Sequence, residues 1–254
     1  MTAPIYKNLF ESKTNNAHLI TFEDKRDYVV KFYKPSENKA LINEWFGYCI
    51  ARFMGLPVPY SAITDLSESF FETIPQNEDL QYTSKQFASV YIPDSVNGHQ
   101  AEVKSIVNTS DLAKIIVFDY WLCNTDRTKK NIILQEKSPG NYILNVIDHA
   151  EIFGSYSWTA EDLQQLPHTL LKSATHQMMA SFIKEEEVFW KEIERVQTIP
   201  TQLLEEIFAF IPPDWNLSPD DQLEIINVLN TRRHKILPEV MRKFIKTIYR
   251  PLHP

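Results

Sequence analysis

The sequence predicts an α+β fold in which a small strand-rich lobe precedes a larger, mostly helical lobe. Runs of β-branched and aromatic residues are concentrated in the first third of the 254 residues. A single helix-spaced run, 36–55, interrupts them, and from residue 160 onward the apolar spacing is almost entirely helical. Two lobes of this kind leave a cleft between them, where a ligand would commonly bind.

The first lobe is predicted to begin with a β-hairpin followed by a helix. The runs 17–22 and 27–33 have strand-like composition and are separated by the polar turn EDKR. The helix comes next, with Ser36 or Asn38 as its N-cap and Gly55 just beyond its last turn.

Two further predicted strands, 60–66 and 85–92, complete the first lobe. The stretch PDSVNGHQ follows them and is interpreted as a polar connector. The sequence therefore predicts a first lobe of residues 1–93 and a second of residues 94–254.

The second lobe is predicted to contain a helix and a hairpin on either side of a polar loop. The helix SDLAKIIVFDYWLCN has Ser110 as a suitable N-cap, the loop is NTDRTKKN, and the predicted strands are 132–135 and 141–148. Helical runs then fill the remainder, at 160–166, 169–183, 185–197, 201–211, 218–237 and 238–249.

Charge and composition exclude several classes of protein. The net charge of −7 argues against nucleic-acid binding, because such proteins usually carry a basic surface. The basic clusters TRRHK and MRKFIK are short, and no run of 18 apolar residues predicts a membrane span. Both cysteines, Cys49 and Cys123, lie in apolar helical runs, which favours a reducing, cytoplasmic location.

Two charged residues occupy positions that the predicted elements should bury. Lys31 lies inside the strand YVVKFY, and Glu44 lies on the apolar face of the helix that follows. A buried carboxylate is costly unless it is paired, and Lys31 is the nearest partner along the chain. The alternative is that Lys31 extends to water from an edge strand while Glu44 reaches solvent at the rim of its helix face.

The polar loop and the hairpin after it supply three more candidate residues. Asp126 and Asn131 form the pattern D-x-x-x-x-N, and Asp148 ends the next predicted strand. Carboxylate and amide oxygens suit Mg²⁺, which takes few protein ligands and retains water or phosphate. Taken alone the pattern is weak, because Asp and Asn also favour loops for their turn chemistry.

Taken together, these residues resemble the protein-kinase-like fold. The order strand lysine, helix glutamate, D-x-x-x-x-N loop and aspartate is similar to that of the HipA-like and phosphatidylinositol-kinase-like branch, whose catalytic loop begins with D-R and ends with N. The loop NTDRTKKN fits this pattern, and YVVKF with NEWFGYCIARFMGLPVP is similar to the short stand-alone HipA-like kinases. The resemblance extends over about residues 12–154 and implies a bilobal kinase-like fold.

The resemblance also implies roles for the five candidate residues. Lys31 would contact the α- and β-phosphates of ATP, and Glu44 would hold it. Asp126 would orient and deprotonate the acceptor hydroxyl, while Asn131 and Asp148 would bind Mg²⁺.

The ATP site implied by the resemblance includes backbone as well as side chains. The loop SKTNNAH, with Asn15, Asn16 and Ala17, would cover the phosphates, and Tyr91 and Ile92 would lead to a hinge that reads adenine. This loop contains no glycine, although asparagine tolerates unusual backbone angles.

The implied activity is Mg-ATP-dependent phosphoryl transfer, with a protein serine or threonine hydroxyl as the expected acceptor. A regulatory protein partner is also possible on this resemblance. Three alternatives stay open at this point: a catalytically weak or inactive kinase-like scaffold, for which the glycine-free loop argues, AMP transfer on the same fold, and a small-molecule or lipid hydroxyl as the acceptor. His149, next to Asp148, is interpreted as a hydrogen-bonded structural residue, with a role as a switch as the alternative.

Overall fold

An antiparallel sheet of five strands forms the first lobe. The computed structural model describes residues 3–10, 16–75 and 79–253. The predicted hairpin is confirmed, with His18 opposite Val30 in the register of its two strands. A strand that the sequence did not predict extends the sheet at one edge. The strands, in spatial order, are β1 Ile5–Leu9, β2 His18–Thr21, β3 Asp27–Lys31, β5 Lys85–Val90 and β4 Ser61–Asp65.

The two faces of this sheet have different partners. Val30 and the adjoining Phe32 are buried in a small apolar cluster together with Ile20. Val29 and Lys31 belong to the opposite face and line the cleft between the lobes. The alternation of side chains along a strand thus directs the lysine of YVVKF away from the sheet's own apolar cluster.

Helix α1, Ala40–Met54, follows β3 and ends at Gly55, whose left-handed φ of 70° is the conformation that glycine favours at a helix C-terminus. The predicted N-caps Ser36 and Asn38 are wrong. The helix begins after Lys39, which forms no side-chain cap and whose N–H donates to the Tyr156 carbonyl at 2.9 Å. At the start of α1 a backbone N–H is therefore satisfied by a distant residue and not by a local side-chain cap.

A second sheet lies beside the cleft in the second lobe. Part of the predicted connector PDSVNGHQ forms its edge strand. The first strand of the hairpin is longer than predicted and the second is two residues shorter, with the turn at Pro139 and Gly140. The strands, in spatial order, are β6 Ser95–Asn97, β8 Ile132–Ser138, β9 Asn141–Val146 and β7 Ser105–Ile106.

Helices form the rest of the second lobe. Only the second half of the predicted run 169–183 is helical, because Ser173 caps the helix and the residues before it are extended or irregular. The runs 218–237 and 238–249 join through π-helical turns, so Pro238 does not interrupt them. The helices are α2 Glu68–Phe71 in the first lobe and α3 Leu112–Leu122, α4 Ala160–Gln164, α5 Ala174–Ser181, α6 Glu187–Gln197, α7 Thr201–Ala209, α8 Pro219–Thr231, α9 Leu237–Phe244 and α10 Arg250–Leu252 in the second.

One apolar core connects the two lobes. Phe46 of α1 stacks on Phe208 of α7, with ring centroids 5.1 Å apart, and both belong to the same cluster as Phe118 of α3. The helix of the first lobe is therefore packed into the core of the second, and a lobe boundary at residue 93 stays a proposal. No helix in the described parts of the chain is long and apolar enough to cross a membrane.

Candidate active site

A cleft of about 950 Å³ separates the five-stranded sheet from the second lobe. This volume is within the range of pockets that hold small-molecule ligands, roughly 300–1,000 Å³. Almost all of the residues predicted from sequence line it, namely Ala17, Lys31, Glu44, Tyr91, Ile92, Asp126, Asn131 and Asp148. Asn15 lies outside the described residues.

Lys31 joins both lobes through two ion pairs. Its Nζ donates to Glu44 Oε1 on α1, and to Asp148 Oδ1 at 3.0 Å. The Glu44 side chain is only 2% exposed, so the alternative in which it reaches solvent is wrong. The pairing of the strand lysine with the helix glutamate is the one predicted.

Burial and charge act in opposite directions on these three groups. Burial alone would lower the pKa of Lys31, but the carboxylates of Asp148 and Glu44 raise it above its ordinary value. Burial raises the pKa of Glu44 despite the attraction of Lys31. For Asp148 the attraction of Lys31 outweighs burial and lowers the pKa to about 2. Lys31 and Asp148 are therefore charged at neutral pH.

Glu44 also contacts the backbone of the segment that carries Asp148. Its Oε2 accepts a hydrogen bond from the His149 N–H at 3.0 Å. Close packing of α1 on this segment requires a glycine one turn further along, because a Cβ on Gly47 would lie 2.6 Å from the His149 Cβ. The helix thus positions Glu44 against both Lys31 and residues 148–149.

Asp126 and Asn131 are joined by hydrogen bonds across the loop that contains them. The Asn131 Nδ2 donates to the backbone oxygen of Asp126 at 2.7 Å and to its carboxylate Oδ2 at 2.8 Å. In the described residues nothing donates to the Asn131 amide oxygen. The D-x-x-x-x-N spacing therefore fixes the aspartate and leaves an amide oxygen available as a ligand.

Asp148 lies two residues beyond β9, rather than at its end as the sequence predicted. Its φ of 61° is in the left-handed region, which aspartate tolerates better than most residues. Its Oδ1 accepts from the Ala150 N–H at 3.3 Å as well as from Lys31, and its side chain remains 36% exposed. The carboxylate is thus both oriented by the protein and open to the cleft.

These oxygens fit Mg²⁺ better than a softer metal. Asn131 and Asp148 offer one amide and one carboxylate oxygen in the same cleft, and Mg²⁺ binds such sites together with water and phosphate. Within residues 3–10, 16–75 and 79–253 there is no cluster of three or more His, Cys, Asp or Glu residues that could hold a metal by itself.

Asn16 has a different environment from its cleft-lining neighbour Ala17. Its Nδ2 donates to the Phe32 carbonyl at 2.7 Å, and its Oδ1 accepts from the Phe32 N–H at 2.9 Å. The side chain is buried and is not among those lining the cleft. The predicted contact of Asn16 with phosphate is therefore not supported, because the amide holds the adjacent strand instead.

One wall of the cleft is apolar. Val29, Val58 and Phe87 line it from the first lobe, and Ile133 lines it from the second. Tyr91, at the predicted hinge, stacks on Phe10 with ring centroids 5.8 Å apart. Such a wall suits the flat, weakly polar surface of a base.

A buried hydrogen-bond network next to this loop was not predicted from the sequence. Asp119, in the middle of the apolar helix α3, is fully buried and accepts from Arg127 Nε at 2.9 Å and Nη2 at 3.1 Å. His176 Nε2 lies 2.9 Å from Asp119 Oδ2, and Asn124 Nδ2 donates to Asp119 Oδ1 at 2.9 Å. An aspartate inside an otherwise apolar helix was the signal that could have revealed it.

Arg127 connects this network to both halves of the candidate site. Its Nη1 donates to the carbonyl of Asn131 at 2.9 Å and to that of Ile147 at 2.6 Å. The ring of His149 lies next to Nη2, with Nδ1 at 3.4 Å, and burial beside this cation lowers the pKa of His149 to about 3. The interpretation of His149 as a buried structural residue agrees with these contacts.

The comparisons with known proteins agree with this architecture. A family model described as HipA-like kinase matches residues 5–246. The chain belongs to the HipA-like kinase family. No curated protein matches the sequence significantly.

Three solved structures are similar to this HipA-like kinase over most of its length. The proinflammatory kinase CtkA of Helicobacter pylori gives a TM-score of 0.62 at 13% identity, over 96% of each chain. The golgi casein kinase gives 0.55 at 12% identity, over 94% of this chain and 71% of that one. HipA of Shewanella oneidensis MR-1, solved with HipB and operator DNA, gives 0.47 at 14% identity, over 95% and 66%.

At these identities the two higher-scoring structures show the fold alone: this HipA-like kinase has the bilobal, α+β protein-kinase-like architecture. Family membership and fold together support a kinase-like phosphotransferase.

Proposed function

We propose that this HipA-like kinase uses Mg-ATP to phosphorylate a serine or threonine hydroxyl of a protein. One observation carries the proposal: a single cleft gathers the Lys31 ion pairs and the Asp126–Asn131 pair. Phosphoryl transfer requires little covalent participation by the protein, but it requires cations and a carboxylate held in fixed positions.

The nucleotide would lie with its base against the apolar wall and its phosphates toward Lys31. Lys31 is paired with both Glu44 and Asp148. The pair with Glu44 would keep the ammonium in place when a phosphate oxygen competes with Asp148 for it. Asn131 and Asp148 would hold Mg²⁺, which supplies positive charge for the phosphate oxygens. Backbone groups at Tyr91 and Ile92 are the proposed contacts for adenine.

Asp126 is the proposed general base. Its carboxylate accepts the proton of the acceptor hydroxyl while that oxygen forms a bond to the γ-phosphorus of ATP. The bond from the γ-phosphorus to the β,γ-bridging oxygen breaks, and ADP leaves with that electron pair. The Asn131 amide, bonded to Asp126 Oδ2, orients the carboxylate for this step.

The substitution Asp126→Asn tests the role of Asp126. It keeps the size of the side chain but removes the basic oxygen, so we expect turnover to fall by about 10²- to 10⁴-fold. Nucleotide affinity, measured by calorimetry with Mg-ATP, should change little. Asp220→Asn, an exposed position on α8 outside the cleft, is the matched control. Turnover by Asp126→Asn at the wild-type rate would exclude Asp126 as the base.

Binding and product analysis separate the remaining alternatives. Mg-ATP at 100 times its Kd should stabilise the protein by about 2.7 kcal/mol, which a thermal shift detects. The absence of a shift at millimolar Mg-ATP would favour the scaffold alternative. The intact mass of the modified acceptor distinguishes a phosphoryl group from an adenylyl group.

A further inference from the structure

The cleft is cationic at the end that surrounds Asp126. Lys129 and Lys130 belong to the loop between Asp126 and Asn131, and Lys172 lines the same cleft from the segment before α5. None of these three lysines, which we call the lysine rim, forms an ion pair with a described carboxylate. The chain as a whole is acidic, with a net charge of −7, so this concentration of cations is local.

Hydrogen bonds attach the lysine rim to the catalytic loop. The Ser173 hydroxyl donates to the Arg127 carbonyl at 2.7 Å, which holds Lys172 beside the loop. The Gly98 N–H donates to the Lys129 carbonyl at 2.8 Å and holds the other side. These two hydrogen bonds hold the backbone of the lysine rim in a defined position relative to Asp126.

The other cations that line the cleft, Lys31 and Arg127, already have ionic partners. Lys31 is paired with Glu44 and Asp148, and Arg127 is paired with the buried Asp119. The lysine rim is thus the part of the cleft whose positive charge is available to an incoming molecule. It lies in the second lobe, whereas most of the apolar wall comes from the first lobe, so the two ends of the cleft suit different ligands.

We infer that the acceptor is an acidic protein segment, with aspartate or glutamate residues flanking the phosphorylated serine or threonine. This rests on the proposed function and adds the class of substrate. Cations contributed by two separate segments match several carboxylates along an extended chain better than a single anionic group. Attraction between exposed charges would favour such a segment over a neutral or basic one and would weaken with added salt.

Peptide binding tests this inference without requiring turnover. Labelled serine peptides with acidic, neutral or basic flanks are titrated into the full chain with a nonhydrolysable ATP analogue and Mg²⁺, and binding is followed by fluorescence anisotropy. The acidic peptide should bind about tenfold more tightly than the neutral one at low salt, with the difference reduced at high salt. Equal binding of all three peptides would overturn the inference.

Substitutions in the lysine rim identify the residues responsible. Lys129→Gln, Lys130→Gln and Lys172→Gln should each weaken binding of the acidic peptide by about two- to fivefold, as expected for exposed ion pairs. The matched control is Lys137→Gln, an exposed lysine on β8 outside the cleft. Weaker binding of Mg-ATP with unchanged peptide binding would instead assign the rim to the triphosphate and overturn the inference.

Kinetics with the same peptides distinguish this inference from the proposed function. Phosphorylation of the peptides with no preference for acidic flanks would support the kinase activity but contradict an acidic acceptor. Tight binding of the acidic peptide without any phosphorylation would support the acidic ligand but contradict the proposed activity.

Discussion

The contrast between Arg127 and Arg250 shows how burial decides the value of an ion pair. Arg127 and its partner Asp119 are both inaccessible to solvent, and Arg127 also satisfies the carbonyls of Asn131 and Ile147. Arg250 also forms two hydrogen bonds to a carboxylate, that of Glu186, but its side chain is 62% exposed. Water can replace the partner of the second arginine but not that of the first.

The substitution Arg127→Met should therefore destabilise the protein strongly. It leaves the Asp119 charge buried without its main partner, which costs about 3–5 kcal/mol in the free energy of unfolding. The control Arg250→Met removes an exposed pair worth about 0–1 kcal/mol. Urea unfolding of both variants measures the difference, and similar losses would show that the Arg127 network is not a buried ionic anchor.

His18 is one of two buried histidines that should make stability sensitive to mild acid; the other is His149, whose pKa is lowered to about 3. Neither ring nitrogen has a hydrogen-bond partner in the described structure, and the side chain is packed between Tyr6 and Phe32. Burial lowers the pKa of His18 to about 4. Between this value and about 6.5, the ordinary pKa, the unfolded chain binds a proton that the folded chain excludes.

Stability should consequently fall as the pH decreases from about 6.5 to about 4. The shift of His18 corresponds to a loss of roughly 3 kcal/mol over that range. His18→Leu, which cannot take up a proton, should make this part of the curve of unfolding free energy against pH less steep, and the slope that remains includes the contribution of His149. His168→Gln, at an exposed histidine, should leave the slope unchanged. An identical slope in wild type and His18→Leu would show that His18 does not cause the loss.

At the scale of elements, helix α1 is the part that assembles the site. It carries Glu44 to Lys31, contacts the 148–149 segment through the same carboxylate, and packs against α7 in the common core. Its close approach depends on Gly47, where a Cβ would overlap His149. Gly55 ends the same helix in a left-handed conformation with open space around it.

Alanine at these two glycines should have separable effects. Gly47→Ala forces α1 away from His149, and overpacking of this kind costs about 1–3 kcal/mol; the accompanying shift of Glu44 should lower turnover. Gly55→Ala places alanine in a left-handed conformation at a cost of about 1–2 kcal/mol but should leave turnover unchanged. Turnover assays measure the effect on activity, and denaturant unfolding measures the effect on stability. Normal turnover by Gly47→Ala would mean that the position of Glu44 does not depend on this packing.

At the scale of the whole molecule, the continuous core connects the two lobes mechanically. The tryptophans lie in different regions, so that their fluorescence reports on the unfolding of each: Trp45 in α1, Trp121 in α3 and Trp215 in the turn before α8. Because α1 is packed into the core of the second lobe, we expect the lobes to unfold together rather than one after the other.

Thermal unfolding followed by tryptophan fluorescence and by far-ultraviolet circular dichroism should therefore give coincident transitions. A matched comparison is the same experiment with saturating Mg-ATP, which should raise both midpoints equally if the nucleotide contacts both lobes. Two separated transitions would instead indicate lobes that are independent in stability.

Local patterns along the chain predicted the class of fold and the candidate site residues that line one cleft. Strand composition placed Lys31 inside a strand, helix spacing placed Glu44 on an apolar face, and the D-x-x-x-x-N pattern placed Asp126 and Asn131 in one loop. These features are local, since each depends on residues within one element or one loop, and local patterns can be read along the chain.

Other features depend on contacts that form only when the chain folds. The start of α1 at Lys39, the short strand β6 inside a polar connector, and the continuation of a helix through Pro238 all depend on contacts with distant residues or on backbone geometry that local signals do not reveal. The Asp119–Arg127 network and the bonds from Asn16 to Phe32 likewise join separate elements. A buried polar group acquires its partner from whichever element packs beside it, and packing is a property of the folded chain as a whole.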